Sequence, residues 1–269
     1  MVRRLFLFLL GLAATMAAQA GSVVDERVYS NAMGRDVEVT VVLPTALQGP
    51  FPVVYLLHGA YGNERSWLEI RPDLPEVADR EGLIFVTPRA YNTWYFDSPL
   101  NPGVRYENFL ADELVNFVDS HYPTIASRNG RAITGLSMGG HGAMHTAMRH
   151  PDVFGAVGST SGGVDFRPFP QNWDIKEVLG EMAANKQTWD DHVVVNLIQN
   201  IENRQLAIIF DCGESDFFLE VNKEFHQRLL GRGIEHDFIQ RPGAHDSNYW
   251  ANAIDYQLLF FQKYFNINP

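Results

Sequence analysis

One stretch near the middle of the chain constrains the fold more than any other. Residues 131–140 read RAITGLSMGG, so an apolar run leads into Gly135-x-Ser137-x-Gly139, and a helical pattern follows. A serine in such a turn has strained backbone angles, and side chains two residues before and after it would clash. The pattern therefore predicts a strand, a sharp turn and a helix, with the hydroxyl of Ser137 raised clear of the strand.

This strand–turn–helix context is that of a nucleophile elbow. The N–H groups and the dipole of the helix that begins there favour negative charge. The alternative is a glycine-rich turn that happens to contain a serine. The context favours Ser137 as a nucleophile, with the backbone N–H of Met138 as one donor to an oxyanion.

The rest of the chain alternates between short apolar runs and longer amphipathic stretches, which predicts an α/β fold with a mostly parallel sheet and helices on both faces. The predicted strands are Val37–Leu43, Pro52–Leu57, Leu83–Val86, Arg131–Thr134, Ala156–Ser159, Leu206–Phe210 and Glu235–Ile239, with Val23–Ser30 a weaker candidate. The predicted helices are Tyr106–His121, Met138–Met148, Leu219–Leu230 and Asn248–Tyr264. A short turn at residues 31–34 predicts that the first two strands form an antiparallel hairpin at the sheet edge.

Two regions depart from this alternation of strand and helix patterns. Residues 1–20 have the basic start, apolar run and Ala18-Gln19-Ala20 site of a secretory signal peptide, with a membrane anchor or a core helix as alternatives. Residues 162–205 carry prolines and two tryptophans, and we interpret them as an insert over the site. Residues 21–269 then form a single domain, and the export signal predicts a periplasmic or secreted protein.

Charge and composition restrict the classes of partner that the chain can bind. The formal net charge is −11, and removing Arg3 and Arg4 with the signal peptide lowers it to −13. Such an acidic chain should repel nucleic acid and anionic membranes, and we expect no stable membrane insertion. The single Cys212 follows an apolar run, which favours a buried structural thiol. The sequence leaves the oligomeric state open.

The sequence resembles the putative-esterase family of α/β-hydrolases. This family includes S-formylglutathione hydrolases, feruloyl, acetyl xylan and tributyrin esterases, and mycolyltransferases. The resemblance covers nearly the whole mature chain. It is carried by LLHG at 56–59, GLSMGGHGA at 135–143, HPDVF at 150–154, DCGESD at 211–216 and PGAHD at 242–246. The resemblance implies a serine carboxylesterase, with the backbone N–H of Ala60, after His58-Gly59, as the second oxyanion donor.

The remaining catalytic groups follow from the order nucleophile, acid, histidine in this fold. His245 is the one histidine after the last predicted strand, so we predict it as the general base. The acid must lie in the loop after Leu206–Phe210, where Glu214 and Asp216 are candidates. The family pattern, a glycine, two further residues and then the acid, starts at Gly213 and favours Asp216 over Glu214.

Residues that contact the substrate are harder to predict. The family resemblance places Trp94 and Tyr95 beside the site, and the alternative is that both pack in the core. His141 lies one helical turn after Ser137 and either packs or lines the pocket. The sequence contains no cysteine pair, HExxH, GxGxxG opening a helix or Walker loop, so we expect neither a metal nor a nucleotide cofactor.

These features predict hydrolysis of short-chain acyl esters or of carbohydrate or aryl esters through an acyl-Ser137 intermediate. An acyltransferase of the mycolyltransferase type is the alternative reaction. A non-catalytic binding protein on a hydrolase scaffold is the alternative of another class, and the presence of Ser137, Asp216 and His245 together argues against it.

We predict that the mature exported protein begins at Gly21, because the small-x-small site ends at Ala20. N-terminal sequencing of protein recovered from outside the cytoplasm checks this. Recovered material that still begins at Met1 would contradict it.

Overall fold

A sheet of eight strands forms the centre of the computed structural model, which describes residues 21–46 and 48–268. The predicted signal peptide at 1–20 lies outside the described residues. Along the sheet the strand order is β1-β2-β4-β3-β5-β6-β7-β8. The strands are β1 Ser22–Ser30, β2 Arg35–Leu43, β3 Val53–Leu57, β4 Ile84–Pro88, β5 Arg131–Gly135, β6 Ala156–Thr160, β7 Ala207–Gly213 and β8 Asp237–Arg241.

The pairing confirms the predicted α/β-hydrolase architecture. Strands β1 and β2 form the expected antiparallel hairpin at the edge, and β2 also pairs antiparallel with β4. All other neighbours are parallel, from β4 through β3, β5, β6 and β7 to β8. The weak N-terminal candidate strand is therefore a full member of the sheet.

Helices cover both faces of this sheet. The predicted helix over Tyr106–His121 is present as α3, a π-helical turn at Phe109–Leu114, and α4. The helices are α1 Ser66–Ile70, α2 Leu74–Glu81, α3 Tyr106–Asn108, α4 Val115–His121, α5 Met138–Arg149, α6 Ile175–Leu179, α7 Lys186–His192, α8 Val194–Leu197, α9 Leu219–Gly231 and α10 Ser247–Ile267. Helices α1 and α2 lay in a region for which the sequence pattern predicted no element.

The core divides into two layers because side chains alternate along each strand. In β3, Val53, Tyr55 and Leu57 join one buried cluster, while Val54 and Leu56 join the other. The first cluster includes side chains of α5 and α9, and the second includes side chains of α2 and α10. Continuous apolar runs such as β3 are buried on both faces, as expected for the central strands of a covered parallel sheet.

This topology selects one place for a site. The chain leaves β3 towards β4 on one side and returns to β5 on the other, so the crossover direction changes between β3 and β5. In open α/β sheets ligands bind at the carboxyl ends of the strands beside such a switch point. The loops after β3, β5, β7 and β8 all emerge at that edge. Among the described residues, no helix has the length and apolar character needed to cross a membrane.

The predicted insert at 162–205 contains three short helices, α6, α7 and α8. Trp189 is buried there, and its indole N–H donates to the carbonyl of Gly180 at 2.9 Å. Helix α8 packs against α5, the helix that follows Ser137. The insert is therefore a folded layer over α5, and one of its residues, Trp173, lines a cleft that contains Ser137.

Candidate active site

Ser137 occupies the turn between β5 and α5 with φ 54° and ψ −117°, which is strained for a residue other than glycine. Glycine is required at positions 135 and 139, because backbone atoms of neighbouring residues come too close for a side chain. A Cβ at Gly135 would lie 2.5 Å from the carbonyl carbon of Gly139, and one at Gly139 would lie 2.3 Å from the carbonyl oxygen of Leu57. The Ser137 N–H donates to the carbonyl of Thr160 at 2.9 Å. The turn is thus held against both β3 and β6.

Three side chains from different loops form one hydrogen-bonded chain at this edge of the sheet. The Ser137 hydroxyl lies 2.9 Å from Nε2 of His245, and Nδ1 of His245 lies 2.9 Å from Oδ2 of Asp216. The Asp216 side chain is fully buried, while 16% of the His245 side chain is exposed. With Nδ1 protonated towards the carboxylate, Nε2 is free to accept the serine proton.

The loops that carry Asp216 and His245 are joined along their backbones. The N–H of Glu214 donates to the carbonyl of Arg241, and the N–H of Ser215 donates to the carbonyl of Gly243, both at 2.8 Å. The second carboxylate oxygen of Asp216 accepts the N–H of Phe218 at 2.8 Å. These bonds fix the carboxylate before any ligand arrives.

The other acids near Asp216 occupy different environments. Glu214 and Glu220 are exposed. Asp211 lies within β7, which extends three residues beyond its predicted end at Phe210. Its carboxylate accepts bonds from Thr160 and Gln257, not from His245. The structure therefore brings Asp216, and none of these alternatives, to His245.

The peptide between Gly59 and Ala60 is held from its carbonyl side. That carbonyl accepts Nδ1–H of His58 at 2.7 Å and the N–H of Gly62 at 3.1 Å. Nε2 of His58 in turn accepts the N–H of Ala90 at 2.9 Å, which fixes the neutral tautomer. Because a peptide is planar, anchoring the Gly59 carbonyl on one side directs the Ala60 N–H to the other. Burial lowers the pKa of His58 to about 4.

Two N–H groups beside Ser137 are available to a ligand. Within the described part of the chain, the structure shows no protein acceptor for the N–H of Ala60 or of Met138. Met138 is the first residue of α5, where N–H groups have no partner inside the helix. This pair has the composition of an oxyanion hole, one donor after the nucleophile and one after β3.

A cleft of about 350 Å³ opens over these groups, near the lower end of the range for ligand cavities. Backbone and small residues of the β3 loop form one wall, and aromatic rings form another. The lining residues are Gly59, Ala60, Tyr61, Gly62, Ser66, Glu69, Ile70, Leu136, Ser137, Trp173, His245, Ser247 and Trp250. The ring of Trp250 meets His245 edge-on at 5.1 Å, and Phe217 lies 4.3 Å from the same imidazole.

The expectation that Trp94, Tyr95 and His141 line this cleft is corrected by their positions. All three are at most 1% exposed and lie in the core beneath it. The Tyr95 hydroxyl donates to the carbonyl of His58 at 3.0 Å, and Nε2 of His141 donates to the carbonyl of His192 at 2.9 Å. Burial lowers the pKa of His141 to about 3. The packing alternative is the one that their contacts support.

Sequence reasoning missed the aromatic residues that do line the cleft. Trp250 lies in the first turn of the helix after His245, and Tyr61 directly follows Ala60, so adjacency to predicted site residues was the available signal. Trp173 had no such signal, because an irregular insert carries it into the cleft.

Two further features lie apart from this site. A larger cavity of about 740 Å³ is lined by residues of α7 and α8 together with Arg149, Arg228 and Arg232, and it shares no lining residue with the cleft. Cys212 is buried and unpaired, as predicted, and burial raises the pKa of its thiol. Among the described residues, no group of three or more His, Cys, Asp or Glu side chains could hold a metal ion.

Comparison with known proteins agrees with this geometry. A profile of the family described as "Putative esterase" matches residues 30–261. Acetyl esterase of Caldicellulosiruptor saccharolyticus is 25% identical over 221 residues, which cover 76% of this chain and 82% of that protein. An esterase of Mycobacterium tuberculosis is also 25% identical, over 253 residues, but the match covers 81% of this chain and only 54% of that longer protein.

A solved ferulic acid esterase is similar in both sequence and structure. It is 31% identical, superposes with a TM-score of 0.77, and the match covers 91% of this chain and 99% of that one. The likeness therefore extends over the whole sheet and its loops, not over the elbow alone.

We predict that Ser137→Ala and Asp216→Asn each lower kcat on p-nitrophenyl acetate by about a thousandfold or more. The first removes the predicted nucleophile, and the second removes the carboxylate that is hydrogen-bonded to Nδ1 of His245. Rates measured on the same ester at one pH, with circular dichroism to confirm folding, check this.

Glu214→Gln is the matched control, because Glu214 is an exposed acid in the same loop. Its kcat should change no more than a fewfold. A larger loss for Glu214→Gln than for Asp216→Asn would transfer the acid role to Glu214.

We also predict that His58 makes folding less favourable in acid. Its pKa falls from 6.5 in the unfolded chain to about 4 in the folded protein, so between these values only the unfolded chain binds the proton. Stability should then fall as the pH falls through this window, by up to about 1.4 kcal/mol per pH unit from this residue. Urea unfolding at pH 6.5 and pH 5 should show a shallower pH slope for His58→Asn than for wild type. Equal slopes would contradict the assignment.

Proposed function

The chain belongs to the putative-esterase family, and from this premise and the geometry of the site we propose that it is an exported serine carboxylesterase with the catalytic triad Ser137, His245 and Asp216. The chain is an ester hydrolase by family. The observation that carries the finer proposal is the unbroken hydrogen-bonded chain, 2.9 Å at each step, from a buried carboxylate to a strained serine in a cleft.

The mechanism follows from these positions. The Ser137 hydroxyl attacks the ester carbonyl carbon while Nε2 of His245 takes its proton. The carbonyl oxygen becomes an oxyanion, which the N–H groups of Ala60 and Met138 stabilise. The C–O bond to the alcohol then breaks, and His245 returns the proton to the leaving alcohol. Water repeats these steps on the acyl-Ser137 intermediate, releasing the acid and restoring the serine.

Asp216 acts throughout as a fixed anion. It keeps Nδ1 of His245 protonated and stabilises the imidazolium that forms when Nε2 accepts the serine proton. Its own hydrogen bond from the Phe218 N–H and its complete burial hold it in one orientation. The Asp216 carboxylate therefore needs little reorganisation when the imidazolium forms.

The size and the lining of the cleft favour esters with small or planar acyl groups as substrates. The β3 loop contributes Gly59, Ala60 and Gly62 with little apolar side chain, and about 350 Å³ accommodates a short acyl chain or one ring. Trp173, Trp250 and Tyr61 offer flat faces that suit aryl groups and sugar rings. We propose short-chain acyl esters and carbohydrate or aryl esters as the substrate class.

The charge of the cleft argues against thioesters of acidic peptides, the substrate type of S-formylglutathione hydrolases, as substrates of this protein. The cleft is lined by one carboxylate, Glu69, and by no lysine or arginine among the described residues. An anionic leaving group would meet Glu69 without a compensating cation. The proposed export signal, with cleavage after Ala20 and a periplasmic or secreted location, also separates it from that cytosolic reaction.

The acyltransferase alternative differs only in the second step, where a sugar hydroxyl would replace water on acyl-Ser137. Product analysis with and without a sugar acceptor distinguishes the two reactions. A binding protein without catalysis is the remaining alternative, and the intact Ser137–His245–Asp216 chain argues against it. A burst of p-nitrophenol from p-nitrophenyl acetate would exclude a purely binding role.

We predict that kcat/KM on p-nitrophenyl esters falls from acetyl to octanoyl by about tenfold or more, because the β3-loop wall of the cleft offers little apolar side chain against which the added methylene groups can pack. A series of acetyl, butyryl, hexanoyl and octanoyl esters under one set of conditions checks this. Faster turnover of the octanoyl ester would show that the acyl chain lies elsewhere.

A further inference from the structure

The segment after β4, residues 91–96, is hydrogen-bonded to two different walls of the cleft. Trp94 and Tyr95 are buried beneath the cleft and do not line it. Asn92 lies between them and the strand and is only partly buried. Its carboxamide makes two hydrogen bonds, and each of them reaches a different wall of the cleft.

One end of the Asn92 side chain holds the loop after β3. Its Oδ1 accepts the N–H of Tyr61 at 2.7 Å, and Tyr61 directly follows Ala60, the proposed oxyanion donor. The other end holds the insert. Nδ2 of Asn92 donates to Oδ2 of Asp174 at 2.7 Å, and Asp174 directly follows Trp173, the aromatic wall. An N–H on one side and a carboxylate on the other define which atom of the amide is which.

A second bond from the same segment reinforces this link. The indole N–H of Trp94 donates to the carbonyl of Trp173 at 3.2 Å. The segment therefore grips the backbone of Trp173 and the side chain of its neighbour, while Asn92 also reaches the oxyanion loop. No other element described above joins these two walls through a single side chain.

Backbone strain is concentrated where these segments meet. Nine non-glycine residues in the described chain have positive φ, and six of them lie in the three joined segments. These six are Tyr61, Tyr91, Trp94, Tyr95, Trp173 and Asp174. Such conformations persist only where the surroundings determine them, and polar ties are one means of doing so. Tyr61 and Asp174, the two partners of Asn92, are both members of this set.

We propose that Asn92 is a positioning residue that holds the oxyanion loop and the Trp173 wall in register with each other. The role rests on the proposed function, because it acts through the Ala60 N–H on the oxyanion. It requires an amide at position 92, since one atom must accept from Tyr61 and another must donate to Asp174. A carboxylate there would keep the acceptor, lose the donor and face the Asp174 carboxylate with like charge.

An exchange of the two side chains tests this. Asn92→Asp should lower kcat on p-nitrophenyl acetate by about five- to tenfold with a smaller effect on KM. Repulsion from Asp174 should displace residue 92 together with the Tyr61 N–H that it holds, and the neighbouring oxyanion donor matters most in the transition state. Asp174→Asn should stay within about twofold of wild type, because its amide oxygen still accepts from Asn92. In the double variant Asn92→Asp/Asp174→Asn, the new amide at 174 can donate to the new carboxylate at 92, so kcat should return to within about threefold of wild type.

Asn116→Asp is the matched control. Asn116 is exposed on α4, and its amide also donates to an aspartate, Asp112, at 2.7 Å. Its kcat should equal that of wild type. Recovery of kcat in the double variant, with unfolding midpoints in urea alike for all variants, supports positioning.

Two outcomes would overturn the role of Asn92. One is an Asn92→Asp variant with the kcat of wild type, and the other is a double variant as slow as Asn92→Asp alone. The wild-type rate on the same ester, compared with Ser137→Ala, tests the proposed function separately, so failure of the positioning role is distinguished from failure of the esterase assignment.

Discussion

The close contact between the Ser137 turn and the end of β3 is the constraint on which the site depends. Hydrogen atoms alone fit at Gly135 and Gly139, since a Cβ at either would lie within 2.5 Å of backbone. This approach brings the serine beside the loop after β3, where His58 anchors the Gly59–Ala60 peptide. Backbone packing thereby places the proposed nucleophile close to the proposed oxyanion donor, and the His58 ring holds the donor's peptide in position.

A buried polar network beneath the site extends this rigidity from β5 to β7, the strand that leads into the Asp216 loop. Oδ2 of Asp211 in β7 accepts from Thr160 in β6 at 2.9 Å and from Gln257 in α10 at 2.7 Å, and Thr134 in β5 donates to Gln257. Burial raises the pKa of Asp211 to about 6. Such a network fixes three adjacent strands and the last helix in one register. The loops after β5 and β7 therefore begin from fixed points, and Ser137 and Asp216 lie two and three residues beyond the ends of these strands.

The distance from a strand end explains which parts of the site the sequence could predict. Short apolar runs located the strands to within a few residues, and Ser137, Asp216 and His245 follow strands closely, so their convergence was predictable. Helices α1 and α2 were missed because they are short, with five and eight residues, and lie in a polar connection. Trp94 and Tyr95 were misplaced because position in a loop does not reveal which way a ring points. Their positive φ values turn both rings into the core.

The same distinction explains how one scaffold can serve different esters. The proposed reacting groups follow the ends of β5, β7 and β8, so the sheet fixes their positions. The walls of the cleft are fixed by polar ties between loops, such as those from Asn92 and Trp94 to the insert. A tie of this kind involves few residues, so an insert can be replaced while β3, β5, β7 and β8 stay unchanged. Under the proposed function, the reaction chemistry thus resides in the strand ends, and substrate choice resides in the strained loops that these few hydrogen bonds hold together.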